Sequence, residues 1–452
     1  MNIDKIKRVF LLGIGGIGMS GLARYFSRMG FEVAGYDRTS TDLTNKLEKE
    51  GIQVIYQDEV DLIAETFQLP SDETLIIYTP AVPKNLLLKS FFIEQGHEIY
   101  KRSEVLGLIS ENRFTIAVAG THGKTTTSTM IAHILKHSGH DCSAFLGGIS
   151  TNYQSNVLFG ANNIVVVEAD EFDRSFLTLH PNIAVVTSAD ADHLDIYGDA
   201  DELLKTFDLF LKRVVPNGKR IVKKGLPFAS EIAYAMERNS DAYSENVRIE
   251  NSEFYFDYHF KDLSILNIHL GIPGIHNVEN AVAAITVGLL LNIPAEKIKD
   301  ALSAFTGVRR RFEYIVKTDQ TIYIDDYAHH PEELRAFLTS MKKLYPLKQL
   351  TVIFQPHLFS RTRDFMEGFA QVLGLADELL LMDIYPAREE AIPGVSSSSL
   401  LDKVQIKNKR LVSPEQILEI VKEEKPELVV TVGAGDIDKI VKHLKEVLSY
   451  AK

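Results

Sequence analysis

The chain has 452 residues, 45% of them hydrophobic and 24% charged, a balance that excludes a disordered, collagen-like or disulfide-stapled protein. Lys and Arg number 49 against 61 Asp and Glu; the net charge of −12 argues against an electrostatic nucleic-acid binder, so any phosphate recognition must be local. The single cysteine, Cys142, precludes an intrachain disulfide and fits a reducing cytoplasm. The opening MNIDKIKRVF lacks a signal-peptide pattern and the apolar runs are of strand length, so neither secretion nor a membrane span is expected.

At roughly 150 residues per domain, the length predicts about three domains. Short apolar strands alternate with helix-period segments, the βαβ signature of mostly parallel sheets. Strands are predicted at 8–12, 114–119, 164–167, 183–187, 321–324, 350–354, 379–382 and 428–432. Residues 247–270 alternate with period two and read as antiparallel strands, a sheet edge or an insertion. Boundaries are placed near 111–113 and 313–317, and no long linker separates the parts, which are expected to pack around shared clefts.

The first strand runs into Gly13-Ile14-Gly15-Gly16-Ile17-Gly18 and then a helix, which meets G-x-G-x-x-G in its strand–turn–helix context. Glycines let the backbone approach a diphosphate, and the helix start supplies free N–H groups. A second strand, 32–36, ends in Asp37, where an acid binds ribose in NAD enzymes. The motif recognises a diphosphate, so UDP fits it as well as NAD, and a plain βα turn is the competing reading. The strand at 114–119 leads to Gly120-Thr121-His122-Gly123-Lys124-Thr125-Thr126, a phosphate cradle in which Lys124 neutralises charge and Thr125 is suited to Mg²⁺. Strict Walker spacing fails, because Val118 stands where a glycine belongs. A simple dehydrogenase needs one such loop, not two.

The next two strands lead into Glu168-Ala169-Asp170-Glu171-Phe172-Asp173 and Asp190-Ala191-Asp192-His193-Leu194-Asp195. Glu168 and His193 are the candidate metal ligands; the other acids are read as solvated loop or cap residues. Asn277 and Asn280 lie three apart at a helix start, where their amides either share a face for a base edge or cap the helix. Arg309-Arg310-Arg311, on an acidic protein, reads as a polyphosphate or transition-state clamp, with a solvated basic turn as the alternative. In the last third, Asp325-Asp326-Tyr327-Ala328-His329-His330-Pro331, Gln355-Pro356-His357 with Arg361 and Arg363, and Gly433-Ala434-Gly435-Asp436 all follow strands. Such tips line the cleft beyond the carboxyl ends of an open α/β sheet.

Taken together these segments, from GIGGIGMSG at 13–21 through TPAVPKNL, GTHGKTTT, EADEFD, GIHNVENA, GVRRRFE and DDYAHHP to GAGDI at 433–437, resemble the Mur ligase family along essentially the whole chain. Within it they look most like the member that adds L-alanine to UDP-N-acetylmuramate. The resemblance implies an α/β fold of three domains: Rossmann-like for the UDP-sugar (1–112), P-loop ATPase-like (113–315) and Rossmann-like for the amino acid (316–452). It implies ATP-dependent amide formation through an acyl phosphate in cytoplasmic peptidoglycan precursor synthesis, with Mg²⁺ or Mn²⁺ as cofactor. Neither nucleic acid nor membrane is an expected partner, and the state is monomer or homodimer.

By the same resemblance Gly15, Gly16, Ile17 and Gly18 hold the uridine diphosphate, with Asp37, Thr79 and Asn85 nearby. Gly120 to Thr126 bind ATP, Thr125, Glu168 and His193 the metal, and Asn277 and Asn280 the adenine. Arg309 and Arg310 serve the transferring phosphoryl group, and Arg310 and Asp325 also belong to the ATP site. Tyr327, His329, His357, Arg361 and Arg363, with His193, define the substrate and alanine side. Leu358 departs from the pattern, standing where some relatives carry arginine, and no carbamoylated lysine is assigned, although Lys205 is near. A recycling ligase of the same family that takes a preformed peptide, a NAD-dependent oxidoreductase and a non-catalytic nucleotide-binding regulator are the alternatives. The oxidoreductase leaves GTHGKTTT and the arginines without a task.

Overall fold

The computed structural model describes residues 5–68, 72–83, 85–190, 194–387 and 389–449. Its first sheet comprises β1 (Arg8–Leu12), β2 (Glu32–Tyr36), β3 (Gln53–Ile55), β4 (Thr74–Tyr78) and β5 (Ile99–Lys101), all parallel in the order β3-β2-β1-β4-β5. Val9 to Leu12 are wholly buried, which is why β1 reads as an unbroken apolar run. Each such side chain contributes roughly 1.5–3 kcal/mol. The strand order reverses between β1 and β4, so the crevice beyond their carboxyl ends is where a ligand fits.

The second sheet comprises β6 (Phe114–Ala119), β7 (Ser143–Ser150), β8 (Ser155–Leu158), β9 (Ile164–Glu168), β10 (Ile183–Val186), β11 (Lys219–Lys223), β12 (Ile232–Ala235), β13 (Ala242–Glu250), β14 (Glu253–Phe260) and β15 (Leu263–Leu270). Its order is β15-β14-β13-β12-β11-β10-β6-β9-β7-β8. β6 is therefore flanked by β9 and β10, and the segments that follow these three strands converge. The period-two region forms β13 to β15 as expected. Asn251 and Ser252, both at positive φ, make the two-residue turn between β13 and β14, so these strands run antiparallel.

The third sheet comprises β16 (Glu313–Lys317), β17 (Ile322–Asp326), β18 (Leu350–Phe354), β19 (Glu378–Leu381), β20 (Asn408–Leu411) and β21 (Leu428–Val432), in the order β16-β17-β21-β18-β19-β20. Only β16 is antiparallel to its neighbour. β17 runs two residues further than the sequence predicts, which draws Asp325 and Asp326 into the strand.

The chain divides into two compact units, Met1–Glu245 with Tyr258–Ile265 and Asn280–Leu302, and Asn246–Asp257 with Leu266–Glu279 and Ser303–Lys452. Within the former, one apolar core runs from Leu11, Leu22, Phe26 and Val105 to Phe145, Val165, Phe176 and Phe207, so the first sheet and the phosphate-loop sheet share buried side chains. Among the described residues no helix is long and apolar enough to cross a membrane.

Candidate active site

At the tip of β1 the glycine loop is held by its own neighbours. Gly15 N–H donates to Asp37 Oδ2 at 2.8 Å, and Thr39 N–H to Oδ1 at 3.1 Å, so Asp37 braces the loop. A Cβ on Gly15 would fall 2.7 Å from that carboxylate, and one on Gly13, at φ +89°, 2.6 Å from Thr79 Cγ2. Gly16 differs: its nearest neighbour would be 3.5 Å away, so its bareness is not required by the fold. It is the N-cap of the helix Ile17–Arg28, which has no side-chain cap and no acid in its first turn. The helix start thus carries no side-chain cap of its own, and the Asp37 carboxylate meets the loop one residue before it, at Gly15. Thr79 lies at the adjacent tip of β4, and Asn85 is exposed in the following loop.

The second loop is tighter. Gly120 (φ +138°) and Gly123 (φ +82°) take conformations that L side chains avoid, and a Cβ on Gly120 would stand 2.2 Å from Thr187 Oγ1. Ser188 just past β10 fixes the turn, accepting from His122 N–H at 2.6 Å and sharing a hydrogen bond with Thr121 Oγ1 at 2.9 Å. Lys124 and Thr125 open the helix Lys124–His137, with Thr126 buried behind them. A Cβ on Gly123 would lie 2.8 Å from Asn280 Oδ1, which places Asn280 against the loop. Asn277 turns back on its own chain, its Nδ2 donating to Pro273 O at 2.6 Å.

Thr125 Oγ1 donates to Glu168 Oε1 at 3.0 Å, and Gly147 N–H to Oε2 at 2.8 Å. Burial raises the Glu168 pKa, against the pull of Lys124. A half-compensated buried carboxylate beside a threonine hydroxyl is a hard-oxygen pair that fits Mg²⁺ completed by phosphate oxygens and water. His193 lies outside the described residues. Among the described residues no group of three or more His, Cys, Asp or Glu is arranged to hold a metal ion.

Glu171, expected to be a solvated loop acid, is instead fully buried, with its carboxylate 2.7 Å from Lys124 Nζ. Lys124 also donates to Gly120 O at 2.6 Å. Burial works against the ammonium, but Glu171, Asp170 and Glu168 outweigh it and raise its pKa. The chain leaves this position through Asp173 and Arg174, both left-handed, and Asp173 pairs with Lys101 at 2.8 Å. A lysine placed among glycines needs a counter-charge when no phosphate is present, and that need was the signal in the sequence for an acid nearby.

The remaining candidates belong to the other unit. Arg310, itself at φ +59°, donates through Nε to Asp325 Oδ2 at 3.3 Å and through Nη2 to Gly433 O at 2.6 Å. Arg310 and Arg311 both lie over the Tyr327 ring, 5.1 and 5.2 Å from its centroid, and Arg309 precedes them in the same turn. Asp325, expected at the nucleotide, is 1% exposed and accepts from Thr431 Oγ1 at 2.6 Å; it anchors Arg310 instead. Burial drives the Asp325 pKa up to about 7 despite Arg310 and Thr431, and that of Asp326 to about 6.

The folded state therefore holds the Asp325 proton more tightly than the unfolded chain does. Its contribution to stability is complete below about pH 4 and is lost as pH rises through about 7. Asp325→Asn has no proton to release, and is expected to flatten the decline of Tm between about pH 5 and 8 in calorimetric scans; a native slope would contradict the assignment.

His329 and His357 face one another at 6.1 Å between ring centroids. Burial lowers both pKa values, His357 to about 4 with help from His329 and Arg361, so its imidazole is neutral near pH 7. Arg361 Nη1 lies 3.2 Å from His357 Nδ1, and Tyr385 stacks on the same ring at 5.7 Å. Arg363 is turned to the exterior, paired with Asp364 at 2.7 Å. Leu358 sits at φ +72°, ψ 136°, a region that favours glycine, just before the helix Phe359–Asp364. Such a residue costs about 1–3 kcal/mol and here fixes the approach of His357 and Arg361.

Comparison with known proteins agrees with this layout. The Mur ligase family catalytic-domain model matches residues 8–114, the Mur ligase middle domain 118–288, and the Mur ligase glutamate ligase domain 310–435. The UDP-N-acetylmuramate–L-alanine ligase of Parabacteroides distasonis is 48% identical, covering 99% of this chain and 98% of its own. That of Christiangramia forsetii is 47% identical, covering 99% of both. The crystal structure of UDP-N-acetylmuramate-alanine ligase MurC from Thermotoga maritima superposes with a TM-score of 0.85 at 28% identity, over 98% of this chain and 100% of that one. A murein peptide ligase from Psychrobacter arcticus shares the fold, with a TM-score of 0.70 at 23% identity over 99% of each chain. With relatives this similar along its whole length, and with both loops and all three sheets in place, the chain belongs to the Mur ligase family.

Proposed function

We propose that this protein joins L-alanine to the carboxylate of UDP-N-acetylmuramate at the expense of ATP, in cytoplasmic peptidoglycan precursor synthesis. The observation that carries the reading is the presence of two separate phosphate-type loops, at Gly13–Gly18 and Gly120–Lys124, in a chain whose relatives bear that activity in their names. The functional domains are taken as 1–112, 113–315 and 316–452.

The first loop, through Gly15, Gly16, Ile17 and Gly18, holds the uridine diphosphate, with Asp37, Thr79 and Asn85 around it. Gly120, Thr121, His122, Gly123, Lys124, Thr125 and Thr126 cradle the ATP phosphates, and Asn280 supports that loop. Thr125 and Glu168, with His193, are the residues that would hold Mg²⁺, which supplies charge neutralisation on the phosphates. A muramate carboxylate oxygen attacks the γ-phosphorus and ADP departs, leaving an acyl phosphate. The free amine of alanine then adds to the acyl carbon, and the tetrahedral adduct expels phosphate as the nitrogen loses its proton. Lys124, Arg309 and Arg310 offset the charge that develops on the phosphoryl oxygens. His329, His357, Tyr327 and Arg361 receive the amino acid; a neutral His357, whose Nδ1 accepts from Arg361, adds no charge to repel the amine.

Phosphate release measured with UDP-N-acetylmuramate, ATP, Mg²⁺ and a panel of amino acids tests this reading. Alanine is expected to lead the panel, with glycine and serine trailing by about ten- to a hundredfold, since small groups discriminate weakly. Release only with a preformed peptide would favour the recycling ligase, and none at all would refute the proposal.

A further inference from the structure

Arg102 has no role in the account so far, yet it lies against Gly18 of the first loop and within 3.8 Å of Asp170 beside the second. A Cβ on Gly18 would fall 2.6 Å from Arg102 Nη1 and 3.0 Å from its Cζ, so the guanidinium lies against the bare second residue of the helix Ile17–Arg28. Arg102 is also the first residue of its own helix, Arg102–Glu111, directly after Lys101. That helix start is answered by Glu104, which accepts from Lys101 N–H at 2.6 Å, whereas the helix start that Arg102 lies against has no acid in its first turn. To an anion at the glycine loop Arg102 offers forked donors.

The other side of the guanidinium faces the phosphate-loop sheet. Arg102 Nη2 is 3.8 Å from Asp170 Oδ2, and Lys101 Nζ is 2.8 Å from Asp173 Oδ2. Asp170 is followed by Glu171, the buried partner of Lys124. Gly18, Arg102, Asp170, Glu171 and Lys124 thus form one continuous path of charge contacts and adjacent backbone from the first loop to the second, all within a single compact unit.

We propose that Arg102 binds the diphosphate of the sugar nucleotide and, through Asp170, couples its arrival to the ATP loop. The inference rests on the reading that Gly13–Gly18 hold a diphosphate. When phosphate oxygens share the charge of Arg102, Asp170 loses part of its counter-ion, and its negative field is freed to draw in the divalent ion that arrives with ATP. The sugar nucleotide then tightens the binding of ATP with Mg²⁺, and by linkage the converse holds by the same factor.

The test is titration calorimetry of the full chain with UDP-N-acetylmuramate, alone and with a non-hydrolysable ATP analogue and Mg²⁺. For the native protein the analogue is expected to tighten sugar-nucleotide binding by about five- to tenfold. Arg102→Lys keeps the charge but loses the fork; sugar-nucleotide affinity alone should fall about tenfold while affinity for the analogue alone is retained. Asp170→Asn should leave each separate affinity within about threefold and bring the coupling factor to about one. Thermal midpoints of both variants, expected near native, separate these effects from misfolding. Native affinity in Arg102→Lys, or native coupling in Asp170→Asn, overturns the proposal while leaving the first loop's assignment standing. Failure of the native protein to bind the sugar nucleotide overturns both.

Discussion

Lys124→Ala is expected to lower turnover by about three orders of magnitude or more while sugar-nucleotide affinity stays near native. The lysine begins the helix behind Gly120–Gly123, and its ammonium is held ready by a carbonyl and a carboxylate. The same contacts make the single variant hard to interpret. Removing the ammonium leaves Glu171 buried without its ion partner, a situation that costs about 3–5 kcal/mol. The double change Lys124→Ala with Glu171→Gln separates the two effects. It should recover most of the lost thermal midpoint but none of the turnover. If it regains turnover, Lys124 serves the fold and not the phosphoryl group.

Gly16→Val is expected to reduce sugar-nucleotide affinity by about a hundredfold or more, with ATP-analogue affinity and Tm close to native. Among the loop glycines this position is the informative one. A carbon added at Gly13, Gly15 or Gly18 would strike Thr79, Asp37 or Arg102, so loss of binding there follows from a distorted loop. At Gly16 the nearest protein atom would be 3.5 Å away. An added Cβ is not crowded by the protein, so loss of binding here points to a ligand approaching the backbone. Native affinity by calorimetry would remove the diphosphate from this loop.

Much of this architecture is legible in the amino-acid order. Apolar runs such as Val9 to Leu12 announce parallel strands because both faces are covered, and the two glycine loops announce themselves by strand–turn–helix context. What escapes is burial of charge. Glu171 and Asp325 look like the loop acids around them; only the flanking of β6 by β9, and of β21 by β17 and β18, sends one beneath Lys124 and the other beneath Arg310. Asn277 resembles Asn280 in sequence, yet their side chains part because one finds the carbonyl of Pro273 four residues back. Arg102 gave no signal of its own, since Glu104 supplies the acid its helix start favours; its place beside Gly18 depends on a helix 85 residues earlier in the chain. The backbone of Leu358 gave none, since the residue type argues against the conformation it adopts.

The carboxylate beneath Lys124 also acts as a gatekeeper toward small intruders. A lone sulfate or orthophosphate must draw the ammonium off a desolvated acid and brings no cation in exchange. A polyphosphate that arrives with its own divalent ion makes up that loss on both sides. The Lys124–Glu171 pair therefore weighs against a lone inorganic anion and in favour of a metal-bound polyphosphate.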